Sequence, residues 1–151
     1  MFSYISILYI CFKTMDDSLL EIKYTTNQLP NVEDIIALYK SSGINRPVED
    51  VDRIRQMYSH SNLVIAAWHQ QKLVGIFRSL TDFNYCCYLS DLAVDKEFQK
   101  QGIGKKLIAL TQNLIGDKTM LLLLAVPSAM EYYPNIGFEK VDNGFVIKRK
   151  R

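Results

Sequence analysis

The stretch "LSDLAVDKEFQKQGIGKKLI", Leu89 to Ile108, decides how this chain folds, because its hydrophobic period changes midway. Up to Val94 the apolar residues follow the short repeat of a strand. From Ile103 onward Ile103, Leu107, Ile108, Leu110, Thr111 and Leu114 make one apolar stripe at helical spacing. Between the two lies the polar "DKEFQKQ", and Gly102 and Gly104 stand where the helix begins. Glycine costs roughly 1 kcal/mol against alanine inside a helix, so bare backbone there needs a reason. A helix N-terminus offers unpaired N–H groups and the positive end of the dipole, which suits a phosphate. A tight turn or close helix–strand packing is the other reading, and the glycines alone leave both open. Lys100, Lys105 and Lys106 add charge around the loop. Two familiar phosphate motifs fail on spacing. A Walker A loop would need glycine at Gln99 and Ser or Thr at Lys106, and a dinucleotide fingerprint would need a third glycine where Leu107 stands.

Outward from this unit, "LLEIKYTT" predicts a first strand near 19–26. Asn31 caps the amphipathic helix "VEDIIALYKSSG", which stops at Gly43, and Pro47 opens a second helix in "VEDVDRIRQMYSHS". "NLVIAAWH" and "KLVGIFRSL", joined by the turn "QQ", read as an antiparallel hairpin, and "YCCYLSDLAV" as the next strand. Gly116 closes the central helix, and "TMLLLLAV" reads as a strand buried on both faces. Pro127 and Ser128 open a short helix through Tyr133, and an Asn143-Gly144 turn predicts a last hairpin in "FEKVDNGFVIKR". The crossover from Val94 to Leu121 forces its flanking strands parallel. The fold class is therefore α/β, with a central mixed, mostly antiparallel sheet flanked by helices.

A chain of 151 residues is one domain with room for a real core. Residues 1–14, "MFSYISILYICFKT", read as an apolar extension or a misplaced start, with the domain over 15–151. That run lacks the basic start and cleavage site of a signal peptide and is too short to span a bilayer. A net charge of +2 is too small to argue for nucleic acid or a membrane surface, and the basic end Lys148 to Arg151 reads as a solvated tail. Cys11, Cys86 and Cys87 form neither a metal spacing nor a disulfide framework, and His60 and His69 lie apart. No metal is expected. Reduced thiols favour a reducing, cytoplasmic compartment. Arg78 and Asp82, in "RSLTDF", are read either as contacts to a polar substrate or as a solvated strand end.

Two motifs in order carry a family resemblance. "LSDLAVDKEFQKQGIGKKLI" resembles the acetyl-CoA-binding segment of the GNAT acyltransferase superfamily, whose Arg/Gln-x-x-Gly-x-Gly/Ala is filled by Gln99, Gly102 and Gly104. "AMEYYPNIGFEKV" resembles the second signature, with Tyr132-Tyr133 ahead of Gly137-Phe138. The likeness covers about residues 19–149 and points to a small, bacterial-type, single-domain member.

The resemblance implies an N-acetyltransferase that moves an acetyl group from acetyl-CoA directly to a primary amine of a small molecule. Peptide or protein amines are the alternative acceptors, and a non-catalytic coenzyme A sensor is the alternative class. It implies the pyrophosphate on the loop formed by Gln99, Lys100, Gln101, Gly102, Ile103, Gly104 and Lys105. The pantetheine arm would pair like a strand along Leu92, Ala93 and Val94, where an amide can also hold the oxyanion. Tyr133 is implied as the acid that protonates the departing thiolate, with Tyr132 the packing member of the pair. Asp91 is expected as a base, directly or through water; a counter-charge for the amine, a cap on the sheet edge, or ordered water as the base are the alternatives. Val126-Pro127-Ser128 departs from the asparagine many relatives carry there. Small members of this family are often homodimers, and a homodimer is the corresponding expectation here.

Overall fold

The computed structural model describes residues 21–150, so the expectation for residues 1–14 lies outside the described residues. The elements run β1 (Ile22–Thr26), α1 (Val32–Ser42), α2 (Val51–Ser59), β2 (Leu63–His69), β3 (Lys72–Thr81), β4 (Cys86–Val94), α3 (Ile103–Ile115) and β5 (Met120–Leu123). Side chains begin the first two helices: the Asn31 side chain accepts from the Asp34 N–H at 2.8 Å, and the Asp50 carboxylate accepts from the Arg53 N–H at 3.0 Å. The second helix thus starts later than Pro47, because residues 47–50 first make a turn closed by Asp50 N–H donating to the Pro47 carbonyl.

The strands form one sheet in the order β1-β2-β3-β4-β5. Every neighbouring pair is antiparallel except β4 and β5, which the α3 crossover makes parallel as expected. Alternation along β2 splits the core in two. Leu63, Ile65 and Ala67 pack with Ile103, Leu107, Ile108 and Ile115 of α3. Val64 and Ala66 pack on the other face with Ile35, Leu38, Ile54 and the two tyrosines Tyr39 and Tyr58 of α1 and α2.

Gly75 of β3 is what lets α3 lie so close to the sheet. A Cβ there would stand 2.9 Å from Ile103 Cγ2, 3.2 Å from Ala67 Cβ and 3.3 Å from Leu107 Cδ1. Overpacking of this kind typically costs about 1–3 kcal/mol. Gly75→Ala is therefore expected to lose about that much in urea unfolding and Gly75→Val more. An alanine variant as stable as the wild type would show that α3 has slack the packing does not reveal.

Two bulges interrupt the ladders. Val74 is the extra residue of β3, because Ala67 faces Gly75 while Trp68 faces Leu73. Ser90 is the extra residue of β4, because Arg78 faces Asp91 while Ser79 faces Leu89. The second bulge exchanges the two faces of the strand. Before it, Cys87 and Leu89 pack toward α3; after it Leu92 and Val94 do so, and Ala93 joins the α1–α2 side.

Two expectations are corrected at the end of the chain. β5 is an edge strand with only partial burial, since among the described residues no further strand covers it, and Met120 and Leu124 are exposed. Residues 139–150 form no hairpin; Phe145 and Ile147 are 100% and 99% exposed. The Asn143-Gly144 signal is local, whereas an isolated two-stranded hairpin is marginal in water without a third strand or a packed face.

Candidate active site

The strand β4 brings the loop and the sheet together. It pairs with β3 as far as Val94, but with β5 only as far as Leu89. From Ser90 to Val94 the side of β4 turned toward β5 therefore has no strand partner, which leaves a stretch of unpaired strand edge, the slot of this site. Asp95 ends the strand: its N–H donates to the Val74 carbonyl at 2.8 Å, and its carboxylate accepts from the Glu97 N–H at 3.0 Å. Lys72 Nζ reaches that carboxylate at 3.0 Å.

The chain then turns through two left-handed residues, Lys100 (φ 63°) and Gly102 (φ 83°), into α3. For Lys100 that conformation costs about 1–3 kcal/mol. Side-chain amides brace the turn around it. Gln99 Nε2 donates to the Val94 carbonyl at 3.0 Å, and Gln101 Nε2 donates to the Glu97 carbonyl at 3.1 Å. Gln99 thus serves the loop's shape through its side chain.

The first backbone bond of α3 is Lys106 N–H to the Gly102 carbonyl at 2.9 Å. The N–H groups of Ile103, Gly104 and Lys105 precede it and have no intrahelical acceptor. The two glycines differ in role. A Cβ on Gly102 would meet nothing within 4 Å, so Gly102 is needed for its left-handed φ and the open space beside it. A Cβ on Gly104 would stand 3.2 Å from the Tyr132 hydroxyl, 3.8 Å from Val94 Cγ2 and 3.9 Å from Leu92 Cδ2. Gly104 therefore keeps the helix mouth clear where it faces the end of β4.

The two tyrosines diverge. Tyr132 carries its hydroxyl to Gly104, at the mouth of the slot. Tyr133 stacks edge-on against Tyr132, ring centroids 5.3 Å apart, and against Phe138 at 5.4 Å. It lines a cavity of about 670 Å³ on the β5 side, with Leu121, Leu123, Met130 and Phe138. Tyr132 thus does more than pack, since its hydroxyl faces Gly104 at the start of α3. Burial pushes both phenols up, so each stays protonated at neutral pH.

Asp91 occupies a different environment from the one expected of a base. It is 1% exposed. Its Oδ2 accepts from Arg78 Nε and from the Tyr39 hydroxyl at 2.7 Å, and its Oδ1 accepts from Arg46 Nε. The Tyr39 and Tyr58 hydroxyls are 2.6 Å apart. Burial opposes the charge on Asp91, but Arg78, then Arg46 and Tyr39, outweigh it and hold the carboxyl below the usual carboxylate range. A carboxylate with both oxygens taken and a depressed pKa is a poor proton acceptor. These partners count against Asp91 as the base.

Arg78 is buried and ion-paired, neither a substrate contact nor a solvated end. Asp82 lies in the exposed β3–β4 turn, where the N–H groups of Asn84, Tyr85 and Cys86 lower its pKa to about 2.

Sequence reading missed Arg46, Tyr39 and Tyr58 as partners. The signal was present: tyrosines in apolar stripes and an aspartate in an apolar strand each need a polar partner when buried. Among the described residues no group of His, Cys, Asp and Glu could hold a metal, and no helix is long and apolar enough to cross a membrane.

A family model described as an acetyltransferase (GNAT) domain matches residues 36–148, and the chain belongs to that family. It is 35% identical over 80 residues to "GCN5-related N-acetyltransferase 2, chloroplastic" of Arabidopsis thaliana, covering 50% of this chain and 30% of that protein. The chain thus matches about a third of that plant relative's length.

Among solved structures it superposes on a probable acetyltransferase of unknown function from meticillin-resistant Staphylococcus aureus. The TM-score is 0.73 at 21% identity, over 85% of this chain and 100% of that one. An aminoglycoside N-acetyltransferase in complex with CoA gives a TM-score of 0.66 at 14% identity, over 87% and 96% of the two chains. These two likenesses show the shared fold.

Proposed function

We propose that the chain transfers the acetyl group of acetyl-CoA directly to a primary amine of a small molecule. The observation that carries this reading is the unpaired edge of β4 from Ser90 to Val94, which ends beside the free amides of Ile103, Gly104 and Lys105. In that reading the amides and the α3 dipole receive the pyrophosphate, with Lys100 and Lys105 as exposed cations nearby. Gln99 and Gln101 hold the turn. The arm lies along Leu92, Ala93 and Val94, and an N–H of this segment polarises the thioester carbonyl and receives the developing oxyanion.

Attack by a neutral amine gives a tetrahedral intermediate. Its collapse breaks the carbon–sulfur bond, and the thiolate takes a proton from a phenol. The family motif gives that role to Tyr133, and burial keeps its proton in place. Tyr132, with its hydroxyl over Gly104, contacts the arm. Because Asp91 is sealed in ion pairs, the amine loses its proton to water at the slot mouth. The family comparisons support acetyl transfer, and we infer the small-molecule acceptor.

The test is release of free coenzyme A from acetyl-CoA across a panel of small amines, polyamines, aminoglycosides and peptide N-termini. Turnover with a small amine is the expected result. Turnover confined to peptides would move the acceptor to a protein amine, and tight binding of acetyl-CoA without turnover on any amine would favour a sensor.

A further inference from the structure

Arg46 lies on the loop between α1 and α2, far in sequence from the loop and slot, yet it grips the one irregular point of β4. Its Nε donates to Asp91 Oδ1, and its Nη2 donates to the Ser90 carbonyl at 2.7 Å. Ser90 is the bulged residue, immediately before the segment that faces the slot. Arg78 holds the same point from β3: its Nη2 donates to Ser90 Oγ at 2.6 Å and its Nη1 to Ser61 Oγ at 2.9 Å. Arg78 is buried in the sheet, whereas the Arg46 side chain is 26% exposed and arrives from outside it.

We propose that Arg46 is a positioning residue for acetyl transfer, latching the α1–α2 loop to the Ser90 bulge and so fixing the backbone of Asp91 to Val94 in the slot. The proposal rests on the acetyl-transfer reading for its effect on rate, but the latch itself is a statement about β4. A bulge leaves its extra residue without a ladder partner, so its carbonyl needs another donor. Arg46 supplies that donor and anchors it on Asp91. Only a guanidinium presents two N–H vectors in a fixed fork, so one residue can satisfy a side chain and a backbone carbonyl together. A lysine at 46 could reach one of them with its single ammonium but not hold both in register. The latch also ties the loop before α2 to the slot, so a shift of that loop is transmitted to the backbone that receives the thioester.

The experiment uses Arg46→Met and Arg46→Lys in the full chain, with two measurements. The first is turnover per acetyl-CoA-binding site, counted by cofactor titration so that unfolded protein does not enter. Arg46→Met is expected to turn over at least about 10-fold more slowly. Its acetyl-CoA dissociation constant should change less than its turnover, because Arg46 does not touch the Gln99–Lys105 loop and acts on the cofactor only through the arm's backbone partners. Arg46→Lys should recover only part of the rate, and added methylguanidine should raise the rate of Arg46→Met and leave Arg46→Lys unmoved.

The second measurement is amide hydrogen exchange, which should quicken over residues 90–94 and stay unchanged over β2. Wild-type turnover per site in Arg46→Met, with unchanged exchange at 90–94, would overturn the proposal. Should the wild type transfer acetyl to no amine, the acetyl-transfer reading fails and the exchange measurement alone decides the latch. If Arg46→Met does not fold, Arg46→Lys carries the same two readouts.

Discussion

Gly102→Glu is expected to fold and to lose acetyl-CoA binding by at least about 100-fold, a change of about 2.7 kcal/mol. It should fold because a side chain at Gly102 meets no atom within 4 Å, leaving only the left-handed backbone to oppose it. That strain is about 1–2 kcal/mol for an L-residue. The loss of binding has two causes. The side chain fills the space before the free amides of Ile103, Gly104 and Lys105, and its carboxylate repels a diphosphate. Two like unit charges 4 Å apart near a protein surface repel by about 4 kcal/mol, which exceeds what 100-fold requires. Gly43→Glu is the control. It has nearly the same backbone (φ 77°, ψ 10°, against φ 83°, ψ 0°) and equally open space at its Cβ, but lies at the far end of α1. Calorimetric titration with acetyl-CoA should show wild-type affinity for Gly43→Glu. Wild-type affinity in a folded Gly102→Glu would take the phosphates away from this helix mouth.

Tyr133→Phe is expected to slow turnover on the order of 100-fold, the scale of one general acid, while the acetyl-CoA dissociation constant stays near that of the wild type. The hydroxyl carries the proton, and the ring keeps its edge contacts with Tyr132 and Phe138 in the variant. Tyr132→Phe should do the reverse, shifting cofactor affinity with turnover within about threefold, because its hydroxyl stands over Gly104. A reversal of the two results would hand the proton to Tyr132, whose hydroxyl faces Gly104. The pH profile supplies a second check. Burial, and then the neighbouring phenol of Tyr132, raises the pKa of Tyr133, so the acid form persists above the phenol's ordinary value of about 10. Turnover should therefore show no loss from this group as pH rises from 7 to about 10.

Much of this site was legible because its signals are local. The glycines, the capping residues and the stripe of α3 are read within a few positions of one another. The stripe itself was close: Ile103, Leu107, Ile108 and Thr111 are buried, with Ile115 in place of Leu114, which is 47% exposed. The Asp91 environment was not legible. Its two arginines stand 45 and 13 residues away in the chain, and its tyrosine 52 away. No periodicity connects such positions. Arg78 shows the same limit, since a charge near a strand end looks solvated until the packing of α2 buries it.

The sequence by itself determined the helix mouth at Gly102, the parallel crossover between β4 and β5, and the family to which the chain belongs. The first two follow from backbone geometry, which short runs of residue types encode, and the third from the likeness of two ordered motifs. Only the tertiary structure decided what Asp91 is. The extra residue at Ser90 exchanges the faces of β4 and turns Asp91 from the α3 side to the α1–α2 side, toward Tyr39, Arg46 and Arg78. A one-residue change of register reverses every side chain beyond it, and the energy that fixes it is spread over partners from three distant segments.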